Sequence, residues 1–129
     1  MTLNAFFPLV GLVALAGCTI IPDASAPVRP EGSTVALGQS VSVGPLVATP
    51  LEVVEDSRCP MNARCIWAGQ AIVTTQFSNG AQSYTADLTL GEPAQVLGQS
   101  VRLASIAPER VTNITLTPAD YRFTYELAF

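Results

Sequence analysis

Histidine and lysine are both absent from this 129-residue chain. Without histidine the usual general base, the commonest metal ligand and the usual partner of a nucleophilic serine or cysteine are missing, which removes most familiar catalytic constellations. Without lysine, positive charge rests on six arginines, Arg29, Arg58, Arg64, Arg102, Arg110 and Arg122, against ten acidic residues, for a net charge of −4. These arginines are scattered and form no basic stripe, so nucleic acid is not an expected partner. Charged residues make up only 12% of the chain and hydrophobic ones 49%. That balance suits one small globular domain and not a disordered segment.

Long apolar runs are also scarce, and the longest stands near the start: AFFPLVGLVALAG, residues 5 to 17. It is too short to cross the roughly 30 Å hydrocarbon core as a helix and has the size of a signal-peptide h-region, so residues 1–17 are set apart from the fold. The segment MTLN before it carries no basic side chain. The run ends in Leu15-Ala16-Gly17-Cys18, which resembles the lipobox of bacterial lipoproteins: a branched apolar residue, two small residues and the cysteine that becomes the lipidated first residue. The resemblance implies a triacylated Cys18 and a domain held on the membrane of a bacterial envelope. Each buried methylene contributes about 0.8 kcal/mol, so three acyl chains amount to permanent attachment. Thr19, which is not Asp, implies outer-membrane sorting in a Gram-negative cell, with the domain facing the periplasm or the surface. Residues 18–33 then form the lipidated cysteine and a tether, since IIPDASAPVRPEGS is rich in proline and has no hydrophobic period. As extended polyproline II such a tether reaches up to about 40 Å.

From Thr34 to Phe129 no 3.6-residue apolar period is visible, whereas alternation of apolar and polar residues recurs between Gly, Pro, Asn and Asp. The domain at 34–129 is therefore expected to be all-β. In AIVTTQFSNGAQSYTADLTL, residues 71 to 90, Asn79-Gly80 is expected to form a two-residue type I′ turn. That turn pairs Phe77 with Gln82 and Val73 with Ala86, and puts Ala71, Val73, Phe77, Tyr84, Ala86 and Leu88 on one face. The closing YRFTYELAF alternates Tyr121, Phe123, Tyr125, Leu127 and Phe129 against polar or small neighbours, a half-buried strand. LGQSV occurs at 37–41 and again at 97–101, each time as a Gly-led turn feeding a strand. Counting STVAL, SVSV, LVATPLEVVE, CIWAGQAIVTTQF, AQSYTADLTL, SVRLASI, VTNITL and the closing strand gives seven or eight short strands. Their spacing predicts an antiparallel β-sandwich, Ig-like in size.

The least typical stretch is DSRCPMNARCIWAGQA, residues 56 to 71, which holds two of the three cysteines and the only tryptophan. Three chemistries compete there. A redox pair lacks Cys-x-x-Cys spacing and a following helix. A metal site has two thiolates and Met61, too few ligands for closed zinc, although soft enough to hold cuprous copper. A disulfide between Cys59 and Cys65 leaves only the cysteine assigned to lipid unpaired, and is the preferred reading. The longer EDSRCPMNARCIWAGQAIV resembles the hallmark of a family of small bacterial envelope proteins, many of them lipoproteins, with Asp-Ser-Arg-Cys-Pro, a second Cys, Trp, Gly and a strand. VRLASIAPE and YRFTYELAF extend the resemblance over most of 35–129. It implies the fold and the disulfide and no reaction.

Asp56, Arg58, Met61, Arg64 and Trp67 are the candidate binding residues. Asp56 can cap the loop and Arg58 can pair with it or reach loop carbonyls. Ile66 and Trp67 are read as the entry of a strand, so one of them faces the core, and Trp67 is expected to pack against the disulfide. Asn113-Ile114-Thr115, although a glycosylation acceptor in form, is read as strand sequence. The expected function is a non-enzymatic, membrane-anchored protein that binds another envelope component, with no cofactor and no metal. The alternatives are a small-ligand or copper-binding module, or an inhibitor of an envelope hydrolase acting through residues 59–65.

Overall fold

The structure is a computed structural model describing residues 27–128. The expected signal peptide, Cys18, Thr19, the first part of the expected tether and Phe129 lie outside the described residues. Among the described residues there are seven strands: β1 (Val41–Val43), β2 (Leu46–Asp56), β3 (Ala71–Ser78), β4 (Ser83–Thr89), β5 (Pro93–Val96), β6 (Gln99–Ala107) and β7 (Arg122–Leu127). β1 to β4 form one antiparallel sheet in chain order and β5 to β7 a second. The all-β sandwich read from the alternation is thus the observed fold.

Alternation decides which side chains are buried. Val41, Val43, Leu46, Ala48, Ala71, Val73, Phe77 and Leu88 from the first sheet meet Val96, Val101, Leu103, Ile106, Phe123 and Tyr125 from the second. The aromatic strand behaves as expected over its described part, with Tyr121, Phe123 and Tyr125 buried. Phe77 and Tyr125 pack edge to face across the sandwich, with ring centroids 6.4 Å apart. Thr75, which the hairpin reading left off the apolar face, is fully buried, and its hydroxyl shares a 2.8 Å hydrogen bond with the Tyr125 hydroxyl. Burial pushes the Tyr125 phenol well above its usual range, and the bond to Thr75 offsets part of that. Two buried polar groups are thereby satisfied by each other.

The 71–90 hairpin forms with a different register. Phe77 faces Tyr84 and Val73 faces Leu88, so Asn79 to Gln82 make a four-residue loop. The Asn79 carboxamide oxygen accepts from the backbone N–H groups of Ala81 and Gln82, and the backbone N–H of Asn79 donates to the Gln82 carbonyl. This side-chain closure replaces the two-residue turn. The slip is two residues, so each side chain keeps its face. Tyr84, expected on the apolar face, is nevertheless 51% exposed at the hairpin tip. A two-residue turn with both φ values positive occurs instead in the second LGQSV, where Leu97 (φ 48°) and Gly98 (φ 79°) join β5 to β6.

Two expected strands are not strands, and a third, CIWAGQAIVTTQF, is shorter than expected. STVAL contributes a single bridge, Val35 to Phe123, which ties it to the free edge of β7. CIWAGQ precedes β3 as an irregular loop, and VTNITL is a loop in which Asn113 takes φ 69°. In the expected tether, Arg29 bridges Val41 in parallel, the Gly44 N–H donates to Glu31, and Ser33 N–H donates to the Pro30 carbonyl. Residues 29–33 therefore lie against the sandwich, and any free tether is confined to residues before them.

Candidate functional site

Two long connections meet at one end of the sandwich: residues 57–70 between β2 and β3, and residues 108–121 between β6 and β7. The first is zipped at its base. Ser57 N–H donates to the Gln70 carbonyl at 2.8 Å, Gln70 N–H donates to the Ser57 hydroxyl at 3.0 Å, and Cys59 N–H donates to the Ala68 carbonyl at 3.2 Å. The zipper requires glycine at 69, where φ is +70° and a Cβ would lie 1.8 Å from the Ser57 carbonyl oxygen. Cys59 and Cys65 are joined as a disulfide, with Cα atoms 5.9 Å apart. Both sulfurs are consumed, which leaves Met61 as the sole soft donor of the copper alternative in this loop.

The loops are fastened to each other by arginine. The Arg58 guanidinium grips the Asp56 carboxylate with two bonds of 2.7 and 2.9 Å and donates to the Ile106 and Pro108 carbonyls at 3.1 and 3.2 Å. The Tyr121 hydroxyl donates to Asp56 at 2.8 Å, so both carboxylate oxygens are occupied. In return Arg110 donates to the Arg58 carbonyl at 2.7 Å, and Met61 N–H donates to the Arg110 carbonyl at 2.8 Å. Asn62 completes the clasp: its side chain donates to the Thr112 hydroxyl and accepts from the Thr112 N–H, at 2.6 and 2.9 Å.

The electrostatics follow from this packing. Burial alone raises the Asp56 carboxyl, but hydrogen bonds from Arg58 and Tyr121 and the guanidinium charge outweigh it, and the group sits below the ordinary carboxylate range. The bond to Asp56 raises Arg58, against a smaller opposing effect of burial. Burial and the neighbouring carboxylate push Tyr121 up to about 12. Asp56 and Arg58 are thus a structural brace at neutral pH, with ionisation locked in.

What the brace presents is apolar. Ile66 is 93% exposed and Trp67 82% exposed, so neither faces the core and Trp67 does not pack against the disulfide as a buried residue. The strand starts at Ala71, after the glycine, and the period-two argument that would bury one of them does not reach them. Met61 at 67% and Ile114 at 61% are exposed on the same pair of loops, and Arg64 is exposed beside Cys65. Of the five candidate residues, Asp56 and Arg58 are therefore scaffold, whereas Met61, Arg64 and Trp67 are displayed.

Sequence reasoning missed Ile66, Tyr121, Arg110 and the Asn62–Thr112 pair as parts of this end. Gly69 was the available signal for Ile66, because glycine before an alternating run marks where a strand starts and leaves Ile66-Trp67 outside it. The other three act across 50 to 65 residues and have no local signature.

Beside the loops, a cleft of about 410 Å³ runs along the end of β2. Two register slips there, between Pro50 and Glu52 and between Val53 and Glu55, leave Leu51 and Val54 unpaired and exposed at its edge. The chain matches no protein-family model, no curated protein and no solved structure.

Proposed function

We propose that this is a non-enzymatic bacterial envelope protein, anchored through lipid on Cys18, whose loops at 57–70 and 108–121 bind another envelope component. One observation carries the binding role: Ile66 and Trp67 are displayed almost fully to solvent on a loop held by a disulfide, a backbone zipper and two arginines. Adjacent large apolar side chains cost free energy when hydrated, and fixing them on a rigid support lowers the entropy lost on binding. The anchor rests on the Leu15-Ala16-Gly17-Cys18 lipobox resemblance.

A narrower version is inhibition of an envelope hydrolase. The segment between the cysteines is exposed at Met61 to Arg64 and pinned by the disulfide and by Asn62 to Thr112, the preorganisation an inserting loop needs.

A photo-crosslinking residue at position 66 tests the binding role in intact cells. It should give a discrete adduct, and the same residue at position 82, in the β3–β4 turn, should not. Equal adducts from both positions, or none from position 66, would contradict the proposal. Mass spectrometry of membrane-purified protein should show residues 1–17 absent and acyl chains on Cys18. An intact, unmodified amino terminus would remove the anchor.

A further inference from the structure

We propose that Asn79 is a site of spontaneous covalent modification: the hairpin tip that its side chain shapes also arranges its carboxamide for attack by the backbone nitrogen of Gly80. Asparagine followed by glycine occurs once in the chain. Such an attack needs a nucleophile that can be reached, an electrophile that is polarised and a leaving group that is free. The nucleophile is the Gly80 amide nitrogen. Gly80 has φ +92° and open space where a Cβ would stand, so no side chain of its own or of a neighbour obstructs the approach. Its N–H donates to the Ser78 hydroxyl oxygen at 3.2 Å, which gives the proton an acceptor. The electrophile is the Asn79 carboxamide carbon. Its oxygen accepts from the backbone N–H groups of Ala81 and Gln82, at 2.9 and 2.7 Å, and a pair of such donors stabilises the oxyanion formed on attack. The leaving nitrogen stands on an exposed residue, where water can protonate it.

The bonds balance as follows. The Gly80 nitrogen loses its proton and bonds to Asn79 Cγ, while the carbonyl electrons move to Oδ1 under the two N–H donors. Their return expels the side-chain nitrogen, which takes protons from water and leaves as ammonia. One water then opens the cyclic imide at either carbonyl, giving aspartate or, where the backbone now runs through the former side chain, isoaspartate. Nothing is oxidised or reduced: water is consumed, ammonia is released and the tip gains a negative charge. Aspartate keeps both N–H bonds, because a carboxylate oxygen accepts as the carboxamide oxygen does. Isoaspartate adds a methylene to the backbone of the loop, which misaligns the Asn79 N–H with the Gln82 carbonyl and loosens the end of the ladder at Ser78 and Ser83. Asn62 and Asn113 lack this arrangement. Both ends of the Asn62 carboxamide are bonded to Thr112, and Asn113 precedes Ile114, whose branched side chain crowds the attacking nitrogen.

The test incubates the full chain in mildly alkaline buffer, folded or unfolded in urea, and samples it over weeks. Peptide mass spectrometry follows the amide-to-acid mass gain at each asparagine, and a methyltransferase specific for isoaspartate labels that product. Asn79 should convert while Asn62 and Asn113 stay intact in the folded protein. Conversion at Asn79 should be about threefold faster folded than unfolded, because only the folded tip holds the two donors on Oδ1. Ser78→Ala should slow the folded reaction about threefold and leave the rate in urea unchanged. An Asn79 that survives in the folded protein while converting in urea would overturn the proposal, because the tip would then protect the residue. Equal rates in the two states would also overturn it, since the reaction would belong to the dipeptide and not to the tip. So would a folded rate unmoved by Ser78→Ala.

Discussion

At one end of the sandwich the strands are joined by short turns, at Gly44-Pro45, Asn79 to Gln82 and Leu97-Gly98; at the other, beside the short turn at Leu90 to Glu92, residues 57–70 and 108–121 form long connections that clasp each other. The short turns are shaped by the backbone of their own residues, through positive φ at Gly44, Leu97 and Gly98 or through the Asn79 side chain. The long loops are shaped by partners far away in sequence, Arg58 with Ile106 and Asn62 with Thr112. A locally determined turn has little to display beyond itself. A connection held by distant partners can keep large apolar residues in water because its own hydrogen bonds, and not their burial, hold its shape.

The largest contrast between the two ends should come from glycine. Gly69→Ala puts a methyl against the Ser57 carbonyl in a left-handed backbone, and should cost about 3 kcal/mol or more in urea unfolding. Gly98→Ala has the same handedness but nothing within 4 Å, and should cost about 1 kcal/mol. Equal losses would mean that the zipper at 57–70 is not what holds the loop.

Next is the staple. Replacing Cys59 and Cys65 together should cost roughly 2 to 3 kcal/mol by the loop-closure relation, lowering Tm by about 10 °C, and alkylation of the unreduced, denatured domain should find neither as a free thiol.

Asp56→Asn should follow at about 2 kcal/mol, because it leaves the Arg58 guanidinium without its anion. Its pH dependence is a separate check. The folded-state carboxyl lies below its ordinary value of 3.8, so its stabilisation is complete above that pH and disappears as the pH falls through the folded-state value. The wild type should lose stability more steeply than Asp56→Asn as the pH drops below about 4. Parallel acid limbs would show that Asp56 is not the brace.

How far the sequence foretold this arrangement depends on how local each cause is. Alternation along Tyr121, Phe123 and Tyr125 is a property of consecutive residues, and the strand it predicts is present. The pairing of Cys59 with Cys65 is nearly local as well. The Asn79-Gly80 signal located its hairpin but misjudged the loop, because the Asn79 side chain binds the N–H groups of Ala81 and Gln82 more effectively than the shorter turn would use it. VTNITL alternates like a strand and is a loop, since its segment is held by Asn62 and not by a neighbouring strand. Trp67 was read as core because a tryptophan beside a disulfide in a sandwich is usually buried. What reverses that is the late start of β3: Gly69, zipped against Ser57, leaves Ile66-Trp67 in the loop, and the clasp of Arg58, Arg110 and Tyr121 then holds the loop by contacts spread over residues 56 to 121.

The smallest stability effect should belong to the most exposed aromatic. Trp67→Ala should change unfolding free energy by no more than about 0.5 kcal/mol, since the side chain is almost fully hydrated in the folded state. The display of Trp67 is the central claim, and its own fluorescence in the membrane-free folded domain tests it most directly. Its emission maximum and its quenching by acrylamide should be close to those of the same protein unfolded in urea. A blue-shifted emission protected from acrylamide until the protein unfolds would place Trp67 in the core and contradict the account.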